Sequence, residues 1–434
     1  MSDHDEIAGH ADPHREHDDP DTATGRAVAE LLRLSHLMPP ADVGGALARL
    51  APPGVSGVSV YLADLQQREL APLRPGETHD GATLPIDSTL AGRAYQTLTV
   101  QVVALRGADA ADQAYRVWVP LVDGTERLGV LGLVTADTAA ATLDRCRTLA
   151  SLAGLMIMAK ASYSDTYAQA QRSRTMALQA ELVWAYLAPR TFATDRVLVA
   201  ATLEPAYEAG GDAFDYALLG DHLHVSIFDA LGHDLSAGLL ASVGIAACRS
   251  TRKAGGSLTA MADRADDAIA GYFGDDRFVT ALLCDLDVAT GLFTWLPCGH
   301  PPPLLIRGNR TVRELARVPR PPLGLGDSRA RWDELRHGNG GPARLCTERL
   351  EPADRLLLYS DGITEGRAAD GTPFGLRRLA DFIIRHSSDG LPAPETMRRL
   401  NHAVLDYQQG RLRDDATAVL IEWQPEHPER DLTA

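Results

Sequence analysis

Three rhythms of apolar and polar positions run along this chain. Residues 1–26 are dense in Asp and His and nearly free of large apolar side chains, which predicts a disordered tail. His4, His10, His14 and His17 give that tail a metal-scavenging reading beside the plainer one of a solvated segment. From residue 27 the pattern changes. Residues 27–37 read as a helix, and Val58-Ser59-Val60-Tyr61-Leu62 alternates as a half-buried strand does. Val117-Trp118-Val119-Pro120-Leu121-Val122, an Asp123-Gly124 turn and Leu128-Gly129-Val130-Leu131-Gly132-Leu133 predict a hairpin. A short helix is predicted near residues 89–96.

Across residues 139–187 the period becomes helical. Leu149, Leu152, Met156, Ala159, Tyr163, Tyr167 and Ala170 recur in steps of three and four, and Pro189 ends the run. One reading packs this helix on the preceding sheet. The other makes it a parallel seam of a homodimer that relays a signal to the C-terminal half of the chain.

After Pro189, strands and helices alternate. Residues 197–203, 216–219 and 222–229 read as neighbouring antiparallel strands, with a tight turn at Gly220-Asp221. Two helices are predicted at 235–251 and 257–273, strands at 278–286 and 292–296, helices near 376–386 and 394–408, and a last strand at 416–423. Clustered strands with paired helices predict an α+β layering.

Composition narrows the function classes. At 434 residues the chain has room for two or three domains. A net charge of −16 argues against a direct nucleic-acid role. No apolar run spans a bilayer and no secretory signal is visible, so no membrane role and a cytoplasmic location are expected. The five cysteines show no paired spacing, which fits buried thiols better than a disulfide framework.

Four aspartates carry the candidate chemistry. Asp212 follows Gly210-Gly211, Asp229 precedes Ala230-Leu231-Gly232-His233, Asp361 lies in Tyr359-Ser360-Asp361-Gly362, and Asp414 lies in Asp414-Asp415-Ala416-Thr417. Each alone is an ordinary turn residue. At strand ends, however, they can converge on one rim, and such a cluster needs a hard divalent cation to neutralise it. That points to a two-metal hydrolase acting on phosphoryl groups.

The surrounding text resembles the SpoIIE-like (RsbU-like) branch of the metal-dependent serine/threonine protein phosphatases, the PPM family. The matching blocks are Glu204-Pro205-Ala206 to Gly210-Gly211-Asp212; Asp229 with Gly232-His233; Phe278-Val279-Thr280-Ala281-Leu282; Gly299-His300-Pro301; Pro322-Leu323-Gly324; Ser360-Asp361-Gly362; and Asp414-Asp415-Ala416-Thr417. The resemblance implies an α-β-β-α sandwich of two antiparallel sheets over residues 193–424 and two ions, Mn²⁺ or Mg²⁺. It assigns Asp229 as the bridging carboxylate, the Ala230 carbonyl as a ligand of one ion, Asp361 and Asp414 as ligands of the other, and Asp212 as acting directly or through water. Asp229 and Asp212 are thereby the catalytic pair. Whether Asp414 or Asp415 is the ligand stays open. The implied substrate is phosphoserine or phosphothreonine on a regulatory protein such as an anti-sigma-factor antagonist. The order of elements over residues 27–160 resembles a GAF sensor domain, with 161–192 as a linker helix and 425–434 as a disordered tail.

Two positions depart from the usual pattern, Ala213 after Gly-Gly-Asp and Asp234 after His233. Asp234 reads either as a helix N-cap or as an addition to the metal site. His300 reads as part of a structural turn or as an anion-binding or proton-shuttling residue. Two other functions compete with the phosphoprotein phosphatase, a non-catalytic scaffold and a phosphatase of small esters. No P-loop or kinase signature is present.

Overall fold

The computed structural model describes residues 20–51, 54–73, 82–105, 113–274, 277–308, 311–325, 345–388 and 390–425. His4, His10, His14 and His17, and residues 426–434, lie outside the described residues. Helix α1 (Pro20–Ser35) begins inside the stretch expected to be a disordered tail. Its apolar face starts only at Val28 and Leu31, so a polar first turn leaves no periodic signal.

The N-terminal unit is an antiparallel sheet with helices on both faces. Helix α2 (Val43–Arg49) leads into β1 (Val55–Ala63), β2 (Glu69–Pro72) and β3 (Leu84–Pro85). Helix α3 (Leu90–Thr97) is capped by Thr89, whose side chain accepts from the Gly92 N–H at 2.9 Å. Strands β4 (Gln101–Leu105), β5 (Ala114–Asp123) and β6 (Glu126–Thr135) complete the order β3-β2-β1-β6-β5-β4. The expected β5–β6 hairpin forms, with Gly124 at its tip at φ +59. Gly129 is obligatory in β6: a Cβ there would sit 1.9 Å from the Tyr61 carbonyl oxygen of β1.

The long helix expected over 139–187 is broken. Helix α4 (Ala140–Ala161) packs on β5, then α5 (Thr166–Gln171) and α6 (Leu178–Tyr186) follow as separate pieces. The breaks fall where side chains bond the backbone in place of helical partners. Ser164 Oγ accepts from the Thr166 N–H at 3.2 Å, and the Ser173 N–H donates to the Tyr207 hydroxyl at 2.9 Å. Leu149, Leu152, Met156 and Tyr167 are buried in the chain's own N-terminal core. These members of the stripe pack within one chain, while Ala159 and Tyr163 are exposed.

The C-terminal unit is a sandwich of two antiparallel sheets. One has the order β15-β12-β11-β10-β9 and the other β14-β13-β16-β17-β8-β7. The first holds β9 (Asp212–Leu219), β10 (His222–Ala230), β11 (Val279–Asp287), β12 (Leu292–Cys298) and β15 (Cys346–Arg349). It carries α7 (Leu235–Lys253) and α8 (Leu258–Phe273) outside. The second holds β7 (Thr191–Ala193), β8 (Val197–Glu204), β13 (Leu304–Arg307), β14 (Thr311–Glu314), β16 (Arg355–Tyr359) and β17 (Ala416–Trp423). Beyond the short α9 (Asp361–Thr364), α10 (Gly375–Ser388) and α11 (Ala393–Tyr407) cover its outer face. Val199, Ala201 and Leu203 of β8 face the inter-sheet core, while Leu198 and Ala200 face these helices. Both faces are buried, which is why β8 reads as a continuous apolar run.

One pairing expectation is corrected. β9 and β10 pair through the Gly220 turn, but β8 is not their neighbour; it pairs with β17 and β7 in the opposite sheet. The turn after Glu204 carries the chain from one sheet to the other.

The two units meet across a buried polar junction. Arg127 of β6 donates to Glu395 at 3.0 Å and to the Pro394 carbonyl at 2.9 Å. Arg398 donates to the Gln67 carbonyl at 3.0 Å, and Glu395 is fully buried between Arg127, Arg398 and Arg399. Glu204, at the end of β8, accepts from Gln66 at 3.4 Å and from Asn401 at 2.9 Å.

Candidate active site

The four aspartates converge where the sandwich's two sheets share a rim. Asp212 opens β9 and lies directly across from Asp229 near the end of β10. Asp361 follows β16 through Ser360, and Asp414 precedes β17, the strand paired with β16. Each sheet thus contributes two carboxylates although 202 residues separate Asp212 from Asp414 in sequence.

Side-chain and backbone bonds hold the rim together. Asp415 Oδ2 accepts the Gly210, Gly211 and Asp212 N–H groups at 2.8, 2.6 and 3.1 Å. Ser360, fully buried, donates its hydroxyl to Asp212 Oδ2 at 2.6 Å and accepts from the Thr417 N–H at 3.0 Å. The Ala230 N–H donates to the Gly211 carbonyl at 3.0 Å. Only Gly fits at 211: a Cβ would lie 2.5 Å from the Gly232 carbonyl oxygen and 2.9 Å from that of Ala230. The latter carbonyl therefore faces the Asp212 loop. Gly362 is held as tightly, its would-be Cβ 1.9 Å from the Asp415 carbonyl oxygen. Asp414 is exposed, with Oδ1 accepting the Asp415 N–H at 2.9 Å.

The carboxylates raise one another's proton affinity. Burial, then the charges of Asp361, Asp414 and Asp415, push Asp229 up to about 8. Asp212 is raised well above the usual carboxylate range by burial and then by Asp229 and Asp415, against the Ser360 hydroxyl. Asp361 is raised by burial, then by Asp414 and Glu365. Two buried acids elsewhere are neutralised. Asp215 is met by Arg249 and Arg252, and Glu395 by three arginines. Among the described residues no Arg or Lys is among the groups that set Asp229. The rim's all-oxygen donor set suits a hard divalent ion such as Mg²⁺ or Mn²⁺. Among the described residues no three His, Cys, Asp or Glu side chains yet close around one point as ion ligands.

Two residues with open readings are placed. Asp234 caps α7, accepting the Ala237 N–H at 3.0 Å. His300 is buried, with Nδ1 2.9 Å from Thr280 Oγ1 and Nε2 3.1 Å from the Tyr359 carbonyl, and burial lowers its pKa to about 3. The neutral ring donates from Nε2 and ties Thr280, opposite Asp229, to Tyr359, two residues before Asp361. It is a structural clamp with no nitrogen left for an anion. Ser360, the clamp role of His300 and the grip of Asp415 escaped the sequence reading. The adjacent Gly210 and Gly211 were the one sign that the backbone there closes on something.

Residues 220–424 match the family model of stage II sporulation protein E (SpoIIE). This makes the C-terminal unit a serine/threonine protein phosphatase domain of the metal-dependent PPM class. Within that class the domain is of the SpoIIE type. The matched span contains Asp229, Asp361 and Asp414 and begins after Asp212. The chain is similar to the solved RsbU and RsbW domains of a Mycobacterium tuberculosis protein, at 25% identity and TM-score 0.45, over 54% of this chain and 63% of that one. It is similar to the SiaA-PP2C domain of Pseudomonas aeruginosa at 22% identity and TM-score 0.44, over 52% of this chain and 86% of that one. For the SpoIIE phosphatase domain of Bacillus subtilis the values are 18% and 0.37, over 54% and 95%. Among the described residues no helix is long and apolar enough to cross a membrane.

Proposed function

We propose that the chain hydrolyses phosphoserine or phosphothreonine on a regulatory protein of the anti-sigma-factor-antagonist type, in the cytoplasm, using two Mn²⁺ or Mg²⁺ ions. The observation that carries this reading is the convergence of Asp212, Asp229, Asp361 and Asp414 on one rim, with no cationic side chain among the described residues that set Asp229. When bound, the ions supply water activation and neutralise charge on the phosphoryl group. Asp229, whose proton affinity is raised by three other aspartates, would hold both ions in this reading. Asp361 and Asp414 flank it from the second sheet, and the exposure of Asp414 beside the engaged Oδ2 of Asp415 favours Asp414 as the ligand. Ser360 orients Asp212 through its hydroxyl, and His300 links the Thr280 hydroxyl to the Tyr359 carbonyl.

The N-terminal unit, residues 27–160, acts in this reading as a GAF-like sensor. Its six-stranded antiparallel sheet and its buried junction with α11 support that role. The test uses the purified full chain with Mn²⁺ on a phosphoserine protein and on p-nitrophenyl phosphate, each with and without EDTA. Metal-dependent release from the phosphoprotein supports the proposal. Release from the small ester alone makes the chain a small-ester phosphatase, and no release from either makes it a scaffold.

A further inference from the structure

We infer that Asp415 is a positioning residue: its carboxylate shapes the loop that presents Asp212, while its neighbour Asp414 meets the cation. The inference rests on the metal-dependent reading above. Three consecutive backbone N–H groups, of Gly210, Gly211 and Asp212, converge on the single oxygen Oδ2 at 2.8, 2.6 and 3.1 Å. Three donors leave that oxygen no lone pair facing an ion. Asp415 is also only 4% exposed.

The loop needs this acceptor. Gly210 and Gly211 press against the opposite turn, where a Cβ on either would come 2.5 Å from the carbonyl oxygens of His233 and Gly232 respectively. A backbone folded this tightly turns its N–H groups inward, away from water. Without an acceptor they are buried donors, each costly to leave unpaired. The anion supplies one acceptor for all three, as backbone nests do for bound anions. The same residue abuts the other sheet's turn through its carbonyl, which fills the space beside Gly362. Asp415 therefore fixes the Asp212 loop to the Asp361 turn, and the two metal-facing halves of the rim are held in register by one side chain.

The test compares Asp415→Ala, Asp415→Asn and Asp414→Ala in the full chain. Calorimetry reads Mn²⁺ binding to metal-stripped protein, and hydrogen exchange reads the amides of residues 210–212. Asp415→Ala should raise the Mn²⁺ Kd at least about tenfold, about 1.4 kcal/mol, and speed exchange of these amides by a similar factor, since three buried N–H groups lose a charged acceptor. Asp415→Asn keeps an acceptor oxygen and should hold both values within about threefold of wild type, under about 0.7 kcal/mol. Asp414→Ala should weaken Mn²⁺ but leave the exchange unchanged. Unchanged exchange in Asp415→Ala overturns the inference. So does Asp415→Asn losing Mn²⁺ as severely as Ala, which would mean that its charge is a ligand. If Asp415→Ala does not fold, the Asn variant decides. If wild type binds no Mn²⁺, the metal-dependent reading fails, and the exchange data alone decide the loop-holding role.

Discussion

Replacing Arg127 with Met should loosen the junction between the two units. The guanidinium is buried, with 4% of its side chain exposed. It donates to Glu395 at 3.0 Å, to the Pro394 carbonyl at 2.9 Å and to Gln67 Oε1 at 2.9 Å, and lies 4.5 Å from the Tyr95 ring centroid. Met fills much of the same volume but takes a donor from the Pro394 carbonyl, leaves Gln67 Oε1 with the Tyr95 hydroxyl alone, and leaves Glu395 short of one cation. Removing one partner of a buried ion pair costs about 3–5 kcal/mol. Glu395 keeps Arg398 and Arg399, so the lower end, about 3 kcal/mol, is expected. For units of roughly 150–250 residues this corresponds to a Tm lower by about 6–12 °C. Glu395 also sets the pH dependence. Burial works to raise its pKa, but the bonds from Arg398 and the charge of Arg127 overrule it and hold the group below its ordinary value. The stability it contributes is full above the unfolded carboxyl pKa of about 4.3 and is lost as pH falls through the lower folded value. Differential scanning calorimetry of both proteins at pH 7 and pH 4 tests this. A Tm within about 2 °C of wild type at pH 7, under about 1 kcal/mol, would refute the claim that this cluster holds the units together.

Asp234→Ala should cost about 1 kcal/mol by urea denaturation, and Asp234→Asn much less, with the Mn²⁺ Kd near wild type in both, because the side chain caps α7; a weakened Mn²⁺ affinity in Asn would move Asp234 into the metal site. His300, lowered to about 3 by burial, stays neutral when folded, so the stability linked to it is full above the unfolded pKa of about 6.5 and declines as pH falls toward 3. Denaturation of wild type and His300→Gln from pH 7 to pH 4 should show a steeper decline in wild type, and parallel curves would refute the clamp. Gly211→Ala should abolish Mn²⁺ binding by calorimetry because its Cβ meets the Gly232 carbonyl oxygen at 2.5 Å, and wild-type affinity would show that the loop is not tightly closed.

The convergence of the aspartates was legible because an aspartate at a strand end carries its own local grammar of Gly, Asp and a flanking apolar run. Their order along the chain then did what spacing alone does not. The sheet assignment of β8 was not legible. A strand buried on both faces reads the same in either sheet, and the turn at Pro205 gives no sign that the chain crosses over. The breaks around Ser164 and Ser173 were hidden because helical spacing resumes on each side of them, while the bond that stops the second comes from Tyr207, 34 residues away. Ser360 was invisible for a related reason. A single hydroxyl has no pattern, and its role exists only once Asp212, 148 residues away, is beside it.

The most direct test of the account is the rate of Mn²⁺-dependent phosphoserine hydrolysis by Asp229→Ala at saturating Mn²⁺. Asp229 sits among Asp361, Asp414 and Asp415, and opposite Asp212, and among the described residues no Arg or Lys is among the groups that set its proton affinity. The account predicts loss of at least about a thousandfold, a barrier higher by about 4 kcal/mol, in a protein whose Tm is not lowered. Retention of more than about a tenth of the wild-type rate, a barrier change under about 1.4 kcal/mol, would contradict the two-metal assignment.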